Sequence, residues 1–292
     1  MNRGMQIYYN AVFGALGGLS GWFLVGLFPT GEWHILLAYT FVGAGVGVCV
    51  GGMIGAVTGL VVQRSLPRAL IGAVLGGLVG LASGTLGLLI GEGFFLWLGG
   101  GILGRTLGWM FFGLLLGLGD GLVSLKLRRA GYGAIGGTVA GLVGGVTYEV
   151  MTQLFLRQSD LVQMIIGALG LILIGACLGG IIPLAIEVIA AVMGKGTLEV
   201  LNGKRRGLVV SVIDSVTLGS SDGCEVYLPG DAGIAKKHAV VYKGDKGFFV
   251  RDLGTAPGGT HVGNRAVPLG TPGQPLRPGD QIRLGQTLVL FK

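Results

Sequence analysis

Charged side chains are scarce in this chain. Asp, Glu, Lys and Arg make up 12% of its 292 residues, whereas hydrophobic residues make up 51%. A soluble protein normally has about a quarter of its residues charged. The scarcity therefore excludes a wholly soluble protein and indicates that part of the chain lies in a membrane.

Cysteine is also scarce, and the motifs of several enzyme classes are missing. Cys49, Cys177 and Cys224 are odd in number and show no CxxC spacing, so they fit small buried hydrophobic residues better than a disulfide framework or a metal cluster. The sequence has no P-loop, no HExxH motif and no recognisable Ser/His/Asp arrangement. Its His238 and His261 are isolated from other metal-ligating residues. We therefore expect no catalytic residue, no metal, no cofactor and no enzyme activity.

The few charges are unevenly distributed along the chain. Residues 1–195 contain nine Lys or Arg and six Asp or Glu, whereas the shorter stretch 196–292 contains twelve and eight. We therefore predict a glycine-rich transmembrane domain at 1–195 and a soluble domain at 196–292. The net charge of +7 divides into +3 and +4, so neither part has the concentrated basic face that nucleic-acid binding requires.

Six mainly apolar stretches predict six transmembrane helices, because a span needs about 20 such residues. They cover roughly residues 7–28, 35–62, 69–91, 101–125, 131–153 and 162–193. Lys and Arg concentrate in alternate connections, such as Arg64 with Arg68 and Arg128 with Arg129, and such connections usually lie in the cytoplasm. We therefore predict a multi-pass protein of the inner (plasma) membrane with cytoplasmic N- and C-termini.

Glycine recurs in two patterns within these stretches. The segments that begin at Ala11, Ala69 and Ala130 align, 58 and 61 residues apart, which predicts three repeats of a two-helix hairpin. Glycine also recurs at every fourth residue, as at Gly72 and Gly76. This spacing places glycines on one helix face, where backbones can approach closely. We predict a glycine zipper between helices; the alternative is that the glycines line a pore.

Two acidic residues lie inside predicted helices, where a charge is costly and often functional. Asp120 occurs in GLGDGL and Glu149 in VTYEVM, each within a turn or two of a predicted helix end. Snorkelling or a hydrogen bond between helices accounts for such positions. The alternative is that these residues lie on the path of a channel or transporter.

The pattern changes to short alternating strands from Thr197 onward. The strand-like segments are TLEVL, GLVVSVI, EVYL, HAVVY, GFFVRD, QIRLG and TLVLF, separated by turns rich in Gly, Asp and Pro. Many short strands in so short a domain predict an antiparallel β-sandwich. The predicted fold class is thus an α-helical transmembrane domain of about six helices followed by an all-β sandwich.

Three longer motifs of this domain occur in a recognisable order. They are LGSSDGCEVYLPGDAGIAKKHAVV, GFFVRDLGTAPGGTHVGNRAV and LRPGDQIRLGQTLVLF. Together they resemble the forkhead-associated (FHA) domain, a sandwich that binds phosphothreonine peptides, over about residues 197–291. The positions that coincide with the family pattern are His238, Asp252, Leu253, Gly259, Thr260, Gly279 and Asp280. The resemblance implies an FHA-like sandwich in which His238 is the structural histidine that braces the loops.

The resemblance also implies that the phosphothreonine-binding motif is degenerate. In the family, an arginine after a glycine and a serine three residues before the histidine hold the phosphate, and an asparagine holds the peptide backbone. Here Ser220 follows Gly219, Ala235 stands at the serine position, and Gly258 stands near the asparagine position after an insertion at Pro257. A serine hydroxyl cannot reproduce the bidentate, charge-assisted grip of a guanidinium on phosphate.

Two basic clusters lie in the predicted loops of this domain. Lys236 and Lys237 can act as point charges in place of the lost grip, or they can simply keep an exposed loop soluble. NGKRRG, at 202–207, fits a turn between strands that can also contact anionic headgroups. The candidate partner-binding or phosphopeptide-binding loops contain Ser220, Ser221, Lys236, Lys237, Thr255, Gly258 and Asn264.

These observations predict a membrane-anchored scaffold. Its FHA-like domain is expected to dock a protein partner, Thr-phosphorylated or not, with weak or no dependence on phosphothreonine. One alternative is a channel or transporter regulated by that domain. The other is a structural subunit of a larger membrane complex, whose glycine-rich helices pack against other subunits or against a second copy.

Overall fold

The computed structural model describes residues 3–123, 126–155, 157–194, 196–244, 246–269 and 273–292. The chain folds into two compact units, Gly4–Ile189 and Ala190–Lys292. The first is helical and the second is built from strands. The boundary between residues 195 and 196 stays a prediction.

Six helices occupy the first part of the described chain, as predicted. They are α1 (Arg3–Gly26), α2 (Ile35–Val57), α3 (Leu66–Trp97), α4 (Ile102–Val123), α5 (Leu127–Leu154) and α6 (Asp160–Val192). A π-helical segment, Thr58–Gln63, continues α2 and ends at Arg64, whose φ of 52° stops the helix. Proline lies in the first turn of α3, where its missing N–H would have no partner in the helix.

Five of these helices are long and apolar enough to cross a membrane, judged over the described residues. They are α2 with its π-helical extension, α3, the Ile102–Gly119 part of α4, α5 and α6. Helix α1 has 24 residues, but it is not one of the five. The sixth crossing therefore stays a prediction, as do the identity of the membrane and the side on which the termini lie.

Backbones of neighbouring helices meet at glycines. A Cβ added to either member of several glycine pairs would overlap the carbonyl oxygen of the other member. These pairs are Gly47 and Gly80 between α2 and α3, Gly113 and Gly137 between α4 and α5, and Gly14 and Gly175 between α1 and α6. Any side chain at these positions would push two helices apart, so the residue type sets the helix separation.

The remaining neighbours along the chain also pack through small residues. Gly17 of α1 lies against Val50 of α2, Gly91 of α3 lies against Gly108 of α4, and Gly144 of α5 lies against Ile174 of α6. Each helix thus contacts the next one along the chain. Because α1 also contacts α6, the six helices form a closed ring.

Eleven strands of the described chain form two facing sheets, which confirms the predicted sandwich. They are β1 (Gly196–Val200), β2 (Val209–Val212), β3 (Ser215–Gly219), β4 (Val226–Tyr227), β5 (Ala239–Gly244), β6 (Gly247–Asp252), β7 (Thr260–Val262), β8 (Arg265–Ala266), β9 (Gln274–Leu276), β10 (Gln281–Leu284) and β11 (Thr287–Phe291). One sheet has the order β2-β1-β11-β10-β7-β8 and the other has the order β4-β3-β5-β6-β9. All pairs are antiparallel except β3 with β4.

Alternating side chains of both sheets form the core between them. In β1 and β11 every second residue is buried, as the alternation predicted. The fully buried members of the core include Leu198, Ile282 and Val289 from one sheet and Leu218, Val241 and Val250 from the other. Four strands, β3, β7, β8 and β9, were not among the strand-like segments. Three of them have only two or three residues, too few for alternation to be recognised.

Candidate functional site

Three loops of the sandwich begin and end at the same end of the sheets. Leu218 near the end of β3 pairs with Ala239 at the start of β5, which pairs with Asp252 at the end of β6. We call this end the apex. The loops that it carries are 220–225, 228–238 and 253–259, and together they are called here the three-loop surface.

His238 links two of these loops from inside the domain. Its side chain is fully buried, with 0% of its surface exposed. The Ala235 N–H donates to Nδ1 at 3.3 Å, so Nε2 carries the proton and donates to the carbonyl oxygen of Gly259 at 3.1 Å. The histidine therefore braces loop 228–238 against loop 253–259, as the FHA resemblance implies.

The backbone of the two lysines is held by both neighbouring loops. The Lys236 carbonyl accepts hydrogen bonds from the Ser221 N–H at 3.0 Å and from the Cys224 thiol at 3.1 Å. The Lys237 carbonyl accepts one from the Thr255 hydroxyl at 2.5 Å. Both lysine side chains are exposed. Two cations are thus held at the junction of the three loops by a fixed backbone.

The two positions that hold phosphate in the FHA family are neighbours here. The Ser220 N–H donates to the Ala235 carbonyl at 2.9 Å, although 15 positions separate the residues in the sequence. The backbone thus brings both positions together, but their side chains are a hydroxymethyl and a methyl group. Neither can supply a positive charge to a phosphate.

The shape of loop 253–259 depends on Asp252 and on glycine. The buried Asp252 carboxylate accepts a hydrogen bond from the Gly254 N–H at 2.6 Å and another from the Thr260 N–H. Gly254 and Gly259 have φ values of 68° and 57°, a region that favours glycine. Gly258 is exposed between them and has no side chain with which to hold a peptide. The residues here that coincide with the FHA family pattern therefore fix the shape of the loop.

The predicted candidates do not all lie together. Ser220, Ser221, Lys236, Lys237, Thr255 and Gly258 belong to the three-loop surface. Asn264 is exposed in the turn between β7 and β8, at the other end of β7 from loop 253–259. The structure therefore separates Asn264 from the other candidates.

Asp231 is an anchor of loop 228–238 that is not among the residues predicted from the sequence. Its Oδ1 accepts from the Gly233 N–H at 3.0 Å, and its Oδ2 accepts from the Gln286 N–H at 2.8 Å and the Thr287 hydroxyl at 2.9 Å. Burial alone would raise the pKa of Asp231, but these hydrogen bonds outweigh it and lower the pKa. The aspartate two residues before a glycine in PGDAG was the available local signal, because aspartate favours such turns.

Glu149 lies in a polar cluster among the helices. Only 2% of its surface is exposed, and the Trp109 indole of α4 donates a hydrogen bond to its carboxylate. Arg105 of α4 is close enough to interact electrostatically with this carboxylate. In the same way Tyr39 of α2 hydrogen-bonds Glu92 of α3. Glu149 of α5 thus forms a hydrogen bond to α4.

Asp120 is the second acidic residue that the sequence places inside a predicted helix. Asp120 belongs to α4, but its side chain lies outside the described residues. Among the described residues, no group of three or more His, Cys, Asp or Glu could hold a metal ion.

Comparison with known proteins identifies the sandwich. Residues 216–285 match the FHA domain family, so this segment is an FHA domain. FHA domains are protein-interaction modules rather than enzymes. No curated protein matches the chain.

Several solved structures are similar to part of this chain, among them two FHA domains. The FHA domain of protein CT664 from Chlamydia trachomatis is 24% identical, with a TM-score of 0.30, and the match covers 34% of this chain and 96% of that one. An FHA domain from Arabidopsis thaliana is 26% identical, with a TM-score of 0.30 and coverage of 34% and 84%. The cytoplasmic domain of the sorting platform protein PscD from P. aeruginosa is 24% identical, with a TM-score of 0.29 and coverage of 34% and 80%.

Proposed function

We propose that this protein is a membrane-anchored scaffold whose FHA domain docks a partner protein with weak or no dependence on phosphothreonine. The hydrogen bond between the Ser220 N–H and the Ala235 carbonyl carries the proposal. It shows that the loops keep the proximity of two positions that hold phosphate in the family. Because Ser220 lacks the charge of the family arginine and Ala235 lacks the hydroxyl of the family serine, the surface is better suited to docking than to reading phosphorylation.

The missing arginine has a measurable consequence. A hydrogen bond to a charged group contributes about 1.5–3 kcal/mol, which corresponds to roughly ten- to a hundred-fold in affinity. Lys236 and Lys237 can recover part of the lost affinity as point charges. An ammonium group, however, cannot make the planar two-bond contact of a guanidinium. Binding of a phosphopeptide should therefore exceed that of the unphosphorylated peptide only slightly.

The helical ring is the proposed anchor. Glycine pairs occur at the equivalent α1–α6, α2–α3 and α4–α5 contacts, which supports a glycine zipper and a hairpin repeated three times. We propose that all six helices cross the inner membrane and that both termini are cytoplasmic. The alternating Lys and Arg of the connections support this orientation. The chain as a whole is proposed to have no catalytic activity.

Copurification from mild detergent tests the docking function. The full chain is recovered by affinity from native membranes, with or without phosphatase treatment, and bound proteins are identified by mass spectrometry. We expect the same partner in both samples. Recovery of a partner only without phosphatase would show that the FHA domain reads phosphorylation, and recovery of no partner would contradict the docking function.

The polar cluster around Glu149 favours one second candidate, a channel or transporter regulated by the FHA domain. Buried carboxylates beside an arginine are found along ion and proton paths. Ion flux into proteoliposomes that disappears in Glu149→Gln would support this candidate. Absence of flux in the wild-type protein would leave the scaffold as the proposed function.

A further inference from the structure

Two buried glutamates lie in one cluster among the helices. Glu149 of α5 is 2% exposed and Glu92 of α3 is 4% exposed, and each carboxylate accepts a hydrogen bond from an aromatic side chain of the neighbouring helix. Tyr39 of α2 interacts electrostatically with both glutamates, which places them near each other. An ionised carboxyl group in such surroundings is costly unless a positive charge balances it.

Arg105 of α4 cannot balance both carboxylates. It interacts electrostatically with Glu149, but it is exposed, and its guanidinium carbon lies over the Phe95 ring at 4.9 Å from the ring centre. Among the described residues, neither Glu92 nor Glu149 forms an ion pair. If all three groups were charged, the cluster would therefore keep one buried negative charge in excess.

The other described groups around Glu149 do not supply the missing positive charge. Its neighbour on α5 is Tyr148, whose ring packs against the Trp109 ring at 5.6 Å between centres. Residues 161–186 of α6, the other helix that packs against α5, contain no charged side chain. The remaining ionisable residues near this end of the helices are exposed, and water and salt screen their charges. They are Glu32, His34, Arg157 and Asp160.

Thr106 of α4 brings an unpaired hydroxyl to the level of Glu149. In the antiparallel contact of α4 with α5, Trp109 lies against Gly145, so one turn further on residues 105 and 106 come level with Glu149. Thr106 is 3% exposed, and its hydroxyl has no hydrogen-bond partner in the described part of the chain. Four other threonines of the helices donate to the carbonyl four residues earlier, but Thr106 does not. A buried hydroxyl without a partner indicates that the site takes up a further group.

We propose that Glu149 binds an exchangeable proton at neutral pH. The proton comes from water at the end of the helices where Arg105 is exposed, forms one O–H bond with a carboxylate oxygen, and returns to water when that bond breaks. The protonated carboxyl group is neutral, still accepts from the Trp109 indole, and gains a donor that a hydroxyl such as that of Thr106 can accept. Glu92 and Arg105 are then left with opposite charges. This inference does not depend on the docking function, and it requires no transport.

A proton suits the site better than a metal ion does. Hard cations take about six oxygen ligands or more. The described residues of the cluster offer two carboxylates and the Thr106 hydroxyl, and the donors of Tyr39 and Trp109 already point at the carboxylates. The charge of Arg105 would also repel a second cation.

Infrared spectroscopy of the full chain in nanodiscs tests the inference. A protonated carboxyl group has a C=O band distinct from the bands of a carboxylate, and this band shifts in heavy water when the proton exchanges. We expect the band in the wild-type protein at neutral pH, its loss in Glu149→Gln, and its retention in the matched control Glu92→Gln. The inference is overturned if the wild-type protein shows no such band, if Glu92→Gln removes the band instead, or if the band appears only when sodium is withheld.

Thermal unfolding provides a second measurement that does not depend on assigning a band. Glutamine resembles a neutral carboxyl group, so Glu149→Gln should lose its size-exclusion peak at nearly the wild-type temperature at neutral pH. Raising the pH should lower this temperature for the wild-type protein, because Glu149 then loses its proton inside the folded helices, and should lower it less for Glu149→Gln. An equal fall in both proteins would overturn the inference.

Discussion

At the scale of single residues, His238 joins loops 228–238 and 253–259 through the two nitrogens of its ring. Replacing it with alanine leaves the Ala235 N–H and the Gly259 carbonyl without partners inside the domain. We expect His238→Ala to lower the stability of the sandwich by about 2–4 kcal/mol, because each buried group left unpaired costs about 1–3 kcal/mol. The labelling rate of Cys224 measures this, since its thiol is 1% exposed and becomes reactive only when the loops open.

The measurement needs a background in which Cys49 and Cys177 are alanine, because both are free and only partly buried. His261→Ala is the control. His261 lies between the buried Thr260 and Val262 on β7, so its side chain faces away from the core and its loss should change stability by less than about 0.5 kcal/mol. Equal effects of the two variants would contradict the bracing role of His238.

Asp231 gives a prediction that depends on pH. Its pKa is lowered in the folded protein, so the carboxylate stabilises the fold above its unfolded pKa of about 3.9, and this stability is lost as the pH falls through the lowered value. At pH 7 we expect Asp231→Asn to cost about 1–3 kcal/mol, because asparagine has only one acceptor oxygen and cannot accept the hydrogen bonds made at both Oδ1 and Oδ2. Thermal unfolding followed by the infrared β-sheet band measures the difference.

The gap in stability between wild type and Asp231→Asn should begin to narrow below the unfolded pKa of about 3.9 and close as the pH falls through the lowered pKa of the folded protein. A gap that stays constant down to the lowest pH would show that the charge on Asp231 does not contribute.

At the scale of elements, the glycine contacts fix how closely α2 and α3 approach. A methyl group at Gly47 would overlap the Gly80 carbonyl, which is backbone and cannot rotate away. We therefore expect Gly47→Ala to destabilise the helical unit by about 1–3 kcal/mol, although alanine is the better helix former. The temperature at which the detergent-solubilised protein loses its size-exclusion peak should fall.

Gly93→Ala is the matched control within α3. A Cβ at Gly93 would meet nothing within 4 Å, so the substitution should be neutral or slightly stabilising. If Gly47→Ala is also neutral, the helices can separate without cost and the close contact is not required.

The sequence predicted the elements better than the connections between them. Long apolar runs gave all six helices, and motif order placed His238 in the FHA domain. The bond between Asp231 and Gln286 spans 55 positions, and the sequence has no local pattern for such a contact. Asn264 is predicted to lie in the binding loops, but β7 places it at the other end of the strand from loop 253–259.

At the scale of the whole molecule, α1 decides on which side the N-terminus lies. Six crossings put both termini on one side of the membrane, whereas five put them on opposite sides. We expect six, so single cysteines introduced at positions 2 and 292 of a cysteine-free chain should be labelled from the same side in sealed vesicles. Labelling of the two positions from opposite sides would show that α1 does not cross.

The bond between Ser220 and Ala235 has a consequence for how this protein can change. Because the backbone holds both positions side by side, two substitutions, Ser220→Arg and Ala235→Ser, suffice to restore both phosphate-holding side chains of the family. We expect the double variant to prefer a phosphothreonine peptide over its unphosphorylated form by about ten- to a hundred-fold, measured by isothermal titration. Partner binding in this variant would then depend on phosphorylation of the partner by a kinase. Two substitutions thus separate this module from one that responds to phosphorylation.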